Sequence, residues 1–67
     1  MTIHLNGEPF DVADPAPTVG TLLEMLDLDA RRVAVEHNRL VVRREAYGST
    51  QLEERDEVEI VNFVGGG

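Results

Sequence analysis

The sequence predicts an α+β domain in which a mixed sheet packs on one helix, and three observations carry that reading. An Asn-Gly pair separates two alternating runs, an apolar stripe of helical period follows Thr18, and short β-branched runs fill much of the remainder. With 67 residues the chain has room for one domain, because a polypeptide this short buries only about 60% of the surface it exposes when unfolded. A mixed sheet covering one helix buries both the helix stripe and the strand faces.

Thr2-Ile3-His4-Leu5, Asn6-Gly7 and Glu8-Pro9-Phe10-Asp11-Val12 read as a β-hairpin, since Asn-Gly readily supplies the two positive-φ residues of a type I′ turn. A two-residue loop sets Leu5 opposite Glu8, Ile3 opposite Phe10 and Met1 opposite Val12. One face then collects Met1, Ile3, Leu5, Phe10 and Val12, while His4 and Asp11 point the other way. Pro15 and Pro17 forbid a helix before Thr18, whose hydroxyl is placed to cap one. Val19, Leu22, Leu23 and Leu26 then recur at i, i+3, i+4 and i+7, the stripe of a short amphipathic helix. Val33-Ala34-Val35 is the next strand, Asn38-Arg39 a turn, and Leu40-Val41-Val42 a further strand. Ala46 to Thr50 reads as a loop with about one helical turn. After the acidic run Glu53 to Glu57, Val58 and Ile60 should face the core. The same period sends Val61 and Phe63 to the opposite face, where polar residues would be the default, so the pair is a candidate docking surface for a partner.

Composition excludes several function classes. Thirteen acidic residues against six basic ones give a net charge of -7, which disfavours nucleic acid and anionic membrane surfaces as partners. The absence of cysteine removes disulfides, thiolate metal sites and cysteine nucleophiles. No basic leader or long apolar run is present, so a cytoplasmic location is the simplest expectation. All six basic residues are arginines, leaving no lysine amine for isopeptide chemistry. His4 and His37 lack ligand-spaced partners, so no metal site is expected. Ser49 has no nucleophile elbow around it, and Gly7, Gly20 and Gly48 open no phosphate-binding loop. The run Glu53 to Glu59, interrupted by Arg55, reads as a solvated turn.

The tail, Gly65-Gly66-Gly67, is where chemistry is expected. Residues 1–64 form the folded domain in this reading and residues 65–67 a flexible extension. A glycine run is often only a linker, but glycines without Cβ atoms can thread a narrow channel, and a terminal carboxylate on glycine is unhindered. That carboxylate is ionised and unreactive until activated, usually as an acyl-adenylate made from ATP. The chain carries no machinery for this step. It therefore reads as a substrate presented to an enzyme, with no catalytic residue of its own.

The segments "VAVEHN" (Val33 to Asn38), "VVRREAY" (Val41 to Tyr47), "DEVEIV" (Asp56 to Val61) and "VGGG" (Val64 to Gly67) resemble, in the same order, the small sulfur carrier protein of thiamine biosynthesis, a ubiquitin-like family. The resemblance implies a β-grasp fold. It also implies that an E1-like enzyme adenylates Gly67 with ATP and that sulfur from a cysteine desulfurase displaces AMP to leave a terminal thiocarboxylate. Thiazole synthase would then take that sulfur. Gly67 is the modified residue on this reading, Gly65 and Gly66 belong to the tail, and the chain binds no cofactor, ATP being used by the partner. Two departures stand out: the family usually has glycine where this chain has Arg55, and proline where it has Val42. A ubiquitin-like protein modifier, the small subunit of molybdopterin synthase, and a plain interaction module with an inert tail remain as alternatives.

Overall fold

The computed structural model describes residues 1–63. β1 (Thr2–Leu5) and β2 (Glu8–Asp11) form the expected hairpin, with Ile3 opposite Phe10 and Leu5 opposite Glu8. Asn6 at φ 50° and Gly7 at φ 84° make the positive-φ turn that the Asn-Gly pair promised. Hydrogen bonds in both directions between Met1 and Val12 extend the ladder by one pair. Ile3 and Val12 are fully buried, Met1, Leu5 and Phe10 pack around them, and His4 and Asp11 face outward as the alternation requires.

α1 (Val19–Met25) starts where Thr18 was expected to cap it. The Thr18 hydroxyl accepts from the Thr21 N–H at 3.1 Å, and the Thr21 hydroxyl accepts from the Thr18 N–H at 2.7 Å, so two amides of the first turn are satisfied reciprocally. Val19, Leu22 and Leu23 are buried, whereas Leu26 is the C-cap and only partly covered, because the helix stops one residue short of the stripe's last member. Asp27 turns the chain away at φ 58°.

The remaining strands pair as β3 (Val33–His37), β4 (Leu40–Val42) and β5 (Glu57–Asn62). β3 is two residues longer than the apolar triplet suggested, because Glu36 and His37 find backbone partners on both β4 and β5 whatever their polarity. The turn expected in Ala46 to Thr50 is present, with the Ser49 and Thr50 N–H groups donating to the Ala46 carbonyl at 3.1 and 3.0 Å, and a 3₁₀ turn over Arg44–Ala46 leads into it. A second 3₁₀ turn, Ala30–Arg32, had no sequence forecast. The sheet order is β2-β1-β5-β3-β4, with β1 and β5 parallel and every other neighbour antiparallel. This is the β-grasp arrangement. The helix and the inner faces of β1, β3 and β5 enclose a core that also takes in Tyr47 and Leu52.

The expected boundary at residue 64 and the tail glycines Gly65, Gly66 and Gly67 lie outside the described residues.

Candidate functional site

Where β5 ends decides how any following residues are presented. Strand alternation buries Val58 and Ile60 and turns Glu57, Glu59 and Val61 outward, with Phe63 following the same period. Val61 is 58% exposed and Phe63 53%, so the two residues singled out as a docking pair do stand on the solvent side of the sheet. Val61 lies opposite Ala34, and Glu59 lies opposite Glu36, which in turn lies opposite Val41. Directly paired residues share a face. Val41, 77% exposed, therefore belongs to the same outer surface, and the sequence reading missed it because it gave β4 no facing. The surface is apolar toward Val61 and Phe63 and acidic toward Glu36, Glu57 and Glu59.

Both edges of the strand end are tied. On the β3 side, the Phe63 N–H donates to the Arg32 carbonyl at 2.7 Å. Arg32 is held there by its 3₁₀ turn, where the Asp29 carboxylate accepts from the Arg31 N–H at 2.9 Å and the Asp29 carbonyl from the Arg32 N–H at 2.9 Å. Hydrogen bonds from the Arg31 guanidinium, then from its backbone N–H, bring the Asp29 carboxyl down to about 2. On the β1 side, the backbone partner runs out after Asn6, whose N–H donates to the Val58 carbonyl at 2.9 Å. The Asn6 side chain then continues the ladder. Its Oδ1 accepts from the Ile60 N–H at 2.8 Å and its Nδ2 donates to the Ile60 carbonyl at 3.3 Å. Sequence reasoning assigned Asn6 to the turn alone, and nothing in the local pattern signals a partner more than fifty residues away.

The acidic run resolves into separate roles. Glu53 and Glu54 are exposed, with the Glu54 carboxylate accepting from the Thr2 N–H at 3.1 Å. Asp56 is structural: its carboxylate accepts from His37 Nε2 at 2.6 Å, from the Glu53 N–H at 2.8 Å and from Asn38 Nδ2 at 3.2 Å. Burial alone would raise its pKa, yet these donors, His37 foremost, carry it below the ordinary carboxylate value. His37 is thus a packing histidine that clamps a turn.

A cavity of about 310 Å³ between the hairpin turn and β5 is lined by His4, Gly7, Glu57, Val58 and Glu59. No group of three His, Asp or Glu side chains there or elsewhere in residues 1–63 is arranged to hold a metal ion. The Ser49 hydroxyl donates to the Ala46 carbonyl at 3.2 Å, a local turn contact. No helix among the described residues is long and apolar enough to cross a membrane.

Known proteins similar to this chain share the fold described for residues 1–63. The profile of the ThiS family matches residues 3–67. The sulfur carrier protein ThiS of Bacillus subtilis is 37% identical over 65 residues, covering 97% of this chain and 98% of its own. A thiazole synthase of Magnetococcus marinus is 48% identical over 67 residues, all of this chain but only 20% of that protein, so the chain spans about a fifth of that relative's length. The crystal structure of a thiamine biosynthesis protein (ThiS) from Geobacter metallireducens superposes with a TM-score of 0.84 at 38% identity, covering 100% of both chains.

Proposed function

The chain belongs to the ThiS family, whose members include sulfur carriers of thiamine biosynthesis, and from that membership we propose that Gly67 carries the reacting carboxylate. In this reading an E1-like enzyme joins the Gly67 carboxylate to AMP with loss of pyrophosphate from ATP. The persulfide made by a cysteine desulfurase then displaces AMP, a thiol of the partner machinery reduces the acyl disulfide so formed and is itself oxidised to a disulfide, and the thiocarboxylate left on Gly67 gives its sulfur to thiazole synthase. The chain acts as substrate and sulfur donor throughout and contributes no catalyst. Gly65 and Gly66 supply the side-chain-free approach, and Val61 and Phe63 dock the partner.

The observation that carries the proposal is the exposure of Val61 and Phe63 on the strand end that immediately precedes Val64-Gly65-Gly66-Gly67. A partner that grips the tail lies against that surface, and an apolar pair there gives it something to bury. The match of this chain to one fifth of a thiazole synthase supports that enzyme as the acceptor, since domains joined in one relative commonly act together in another. Without cysteine the chain has no thiol to hold transferable sulfur, which favours the Gly67 acyl group as its place.

Intact mass tests this. Coexpression with an activating enzyme and a desulfurase is expected to add about 16 Da, the exchange of one oxygen for sulfur, and alkylation should label only the C-terminal residue. An unchanged mass, with a control carrier converted in parallel, removes the thiocarboxylate from the account.

A further inference from the structure

We infer that Asn6 is a positioning residue for the reaction at the tail: its carboxamide stands in for a missing strand residue and fixes the end of β5. This rests on the carrier reading above. β1 runs parallel to β5 and pairs with it through His4 and Leu5, opposite Glu57 and Val58. The chain then has to leave β5 to make the hairpin turn, and Asn6 adopts φ 50° to do so. Ile60 would be left with a bare N–H and a bare carbonyl on that side. Asn6 supplies one acceptor and one donor at a spacing close to that of a peptide group, at 2.8 and 3.3 Å from the Ile60 nitrogen and oxygen.

This position both closes the turn and caps the strand, and Asn is among the few side chains suited to both. It tolerates the left-handed region better than most residues, and its amide presents both hydrogen-bonding senses. Glycine at this position would satisfy the turn and leave Ile60 open. Aspartate would keep the acceptor for the Ile60 N–H but turn a second oxygen toward the Ile60 carbonyl.

The consequence for the reaction follows from what Ile60 adjoins. Val61 and Phe63, the docking pair, flank the same strand end, which is anchored on its other edge by Ala34 and by the Arg32 carbonyl. With Asn6 in place the strand end is held from both sides, and a partner meets Val61 and Phe63 already ordered. Without it, one edge opens and the partner has to order the strand as it docks. That cost appears in KM. Once docked, the strand is ordered by the partner, and kcat is retained.

The experiment uses the full chain, an E1-like adenylating enzyme active on carriers of this family, and ATP–pyrophosphate exchange as the readout. Asn6→Gly preserves the turn. It is expected to speed amide exchange at Ile60 while leaving Val35 protected, and to raise KM on the order of tenfold with kcat within about twofold. Asn6→Asp should fall between wild type and Asn6→Gly in KM. If Asn6→Gly loses Ile60 protection yet shows the wild-type KM, Asn6 caps the strand without positioning it for the reaction and the inference is overturned. Equal loss of Val35 protection would show general destabilisation and overturn it too. A wild-type chain that supports no exchange, beside an active control carrier, defeats the carrier reading itself and this inference with it.

Discussion

Arg55 holds φ 71° in the turn before β5, with its N–H donating to the Thr2 carbonyl at 2.7 Å. The other positive-φ positions are mostly Asn, Asp or Gly, residues that enter the left-handed region at low cost, whereas an arginine Cβ is crowded there. The glycine that the resemblance leads one to expect at this place would adopt that angle without a Cβ clash. Arg55→Gly keeps the backbone donor to Thr2 and relieves the Cβ. It is expected to stabilise the fold by about 1 kcal/mol, after allowing for the freer unfolded chain. For a domain of this size such a gain raises Tm by about 4–8 °C, which calorimetry would read directly. An unchanged or lowered Tm would mean that the turn tolerates arginine without strain.

At the scale of elements, short pieces are held by contacts that cross between them. A helix of seven residues, Val19–Met25, has too few turns to persist alone, and it exists through its Thr18–Thr21 cap and the burial of Val19, Leu22 and Leu23. Asp56 plays the corresponding part for the turns, joining His37 and Asn38 of the β3–β4 hairpin to Glu53 in the approach to β5. Its folded pKa is depressed, so it contributes stability above the unfolded carboxylate value of about 3.9 and loses that contribution as pH falls through the lower folded value. Wild-type stability is therefore expected to fall below about pH 4. Asp56→Asn should be less stable at neutral pH by about 1–2 kcal/mol and show a flatter acid limb, measurable by denaturant titration from pH 2 to 7. An acid limb as steep as wild type would assign the acid sensitivity to other carboxylates.

The whole molecule separates a core face from a presenting face. The helix covers the inner side of the sheet, whereas Val61, Phe63 and Val41 on the outer side each keep more than half of their surface exposed. Phe63→Ala is accordingly expected to leave Tm within the scatter of neutral surface changes, about 0.5 kcal/mol in stability. Its affinity for the adenylating enzyme should fall by about 2 kcal/mol, the usual cost of truncating an aromatic anchor at an interface. Calorimetric binding and thermal unfolding of the same preparation would check both halves. A large fall in Tm with unchanged affinity would assign Phe63 to the fold.

Local physics decided much of this protein in advance. Asn6-Gly7 selects a tight hairpin, Thr18 after two prolines starts a helix, and the alternation through Val58, Ile60, Val61 and Phe63 sorts inward from outward residues; each depends only on dihedral preference or periodicity within a few positions. The resemblance carried by the segments from Val33 to Gly67 was legible as well, because it lies in residue order. The tertiary structure alone decided what depends on distance. Glu36 and His37 became strand because β4 and β5 flank them, and Tyr47 entered the core because the chain folds back over the sheet. His37 met Asp56 across nineteen positions, and Asn6 met Ile60 across fifty-four. A side chain's hydrogen-bonding capacity is written in its identity, but the partner that uses it is chosen by sheet order and register, which arise only when the separate strands are brought together.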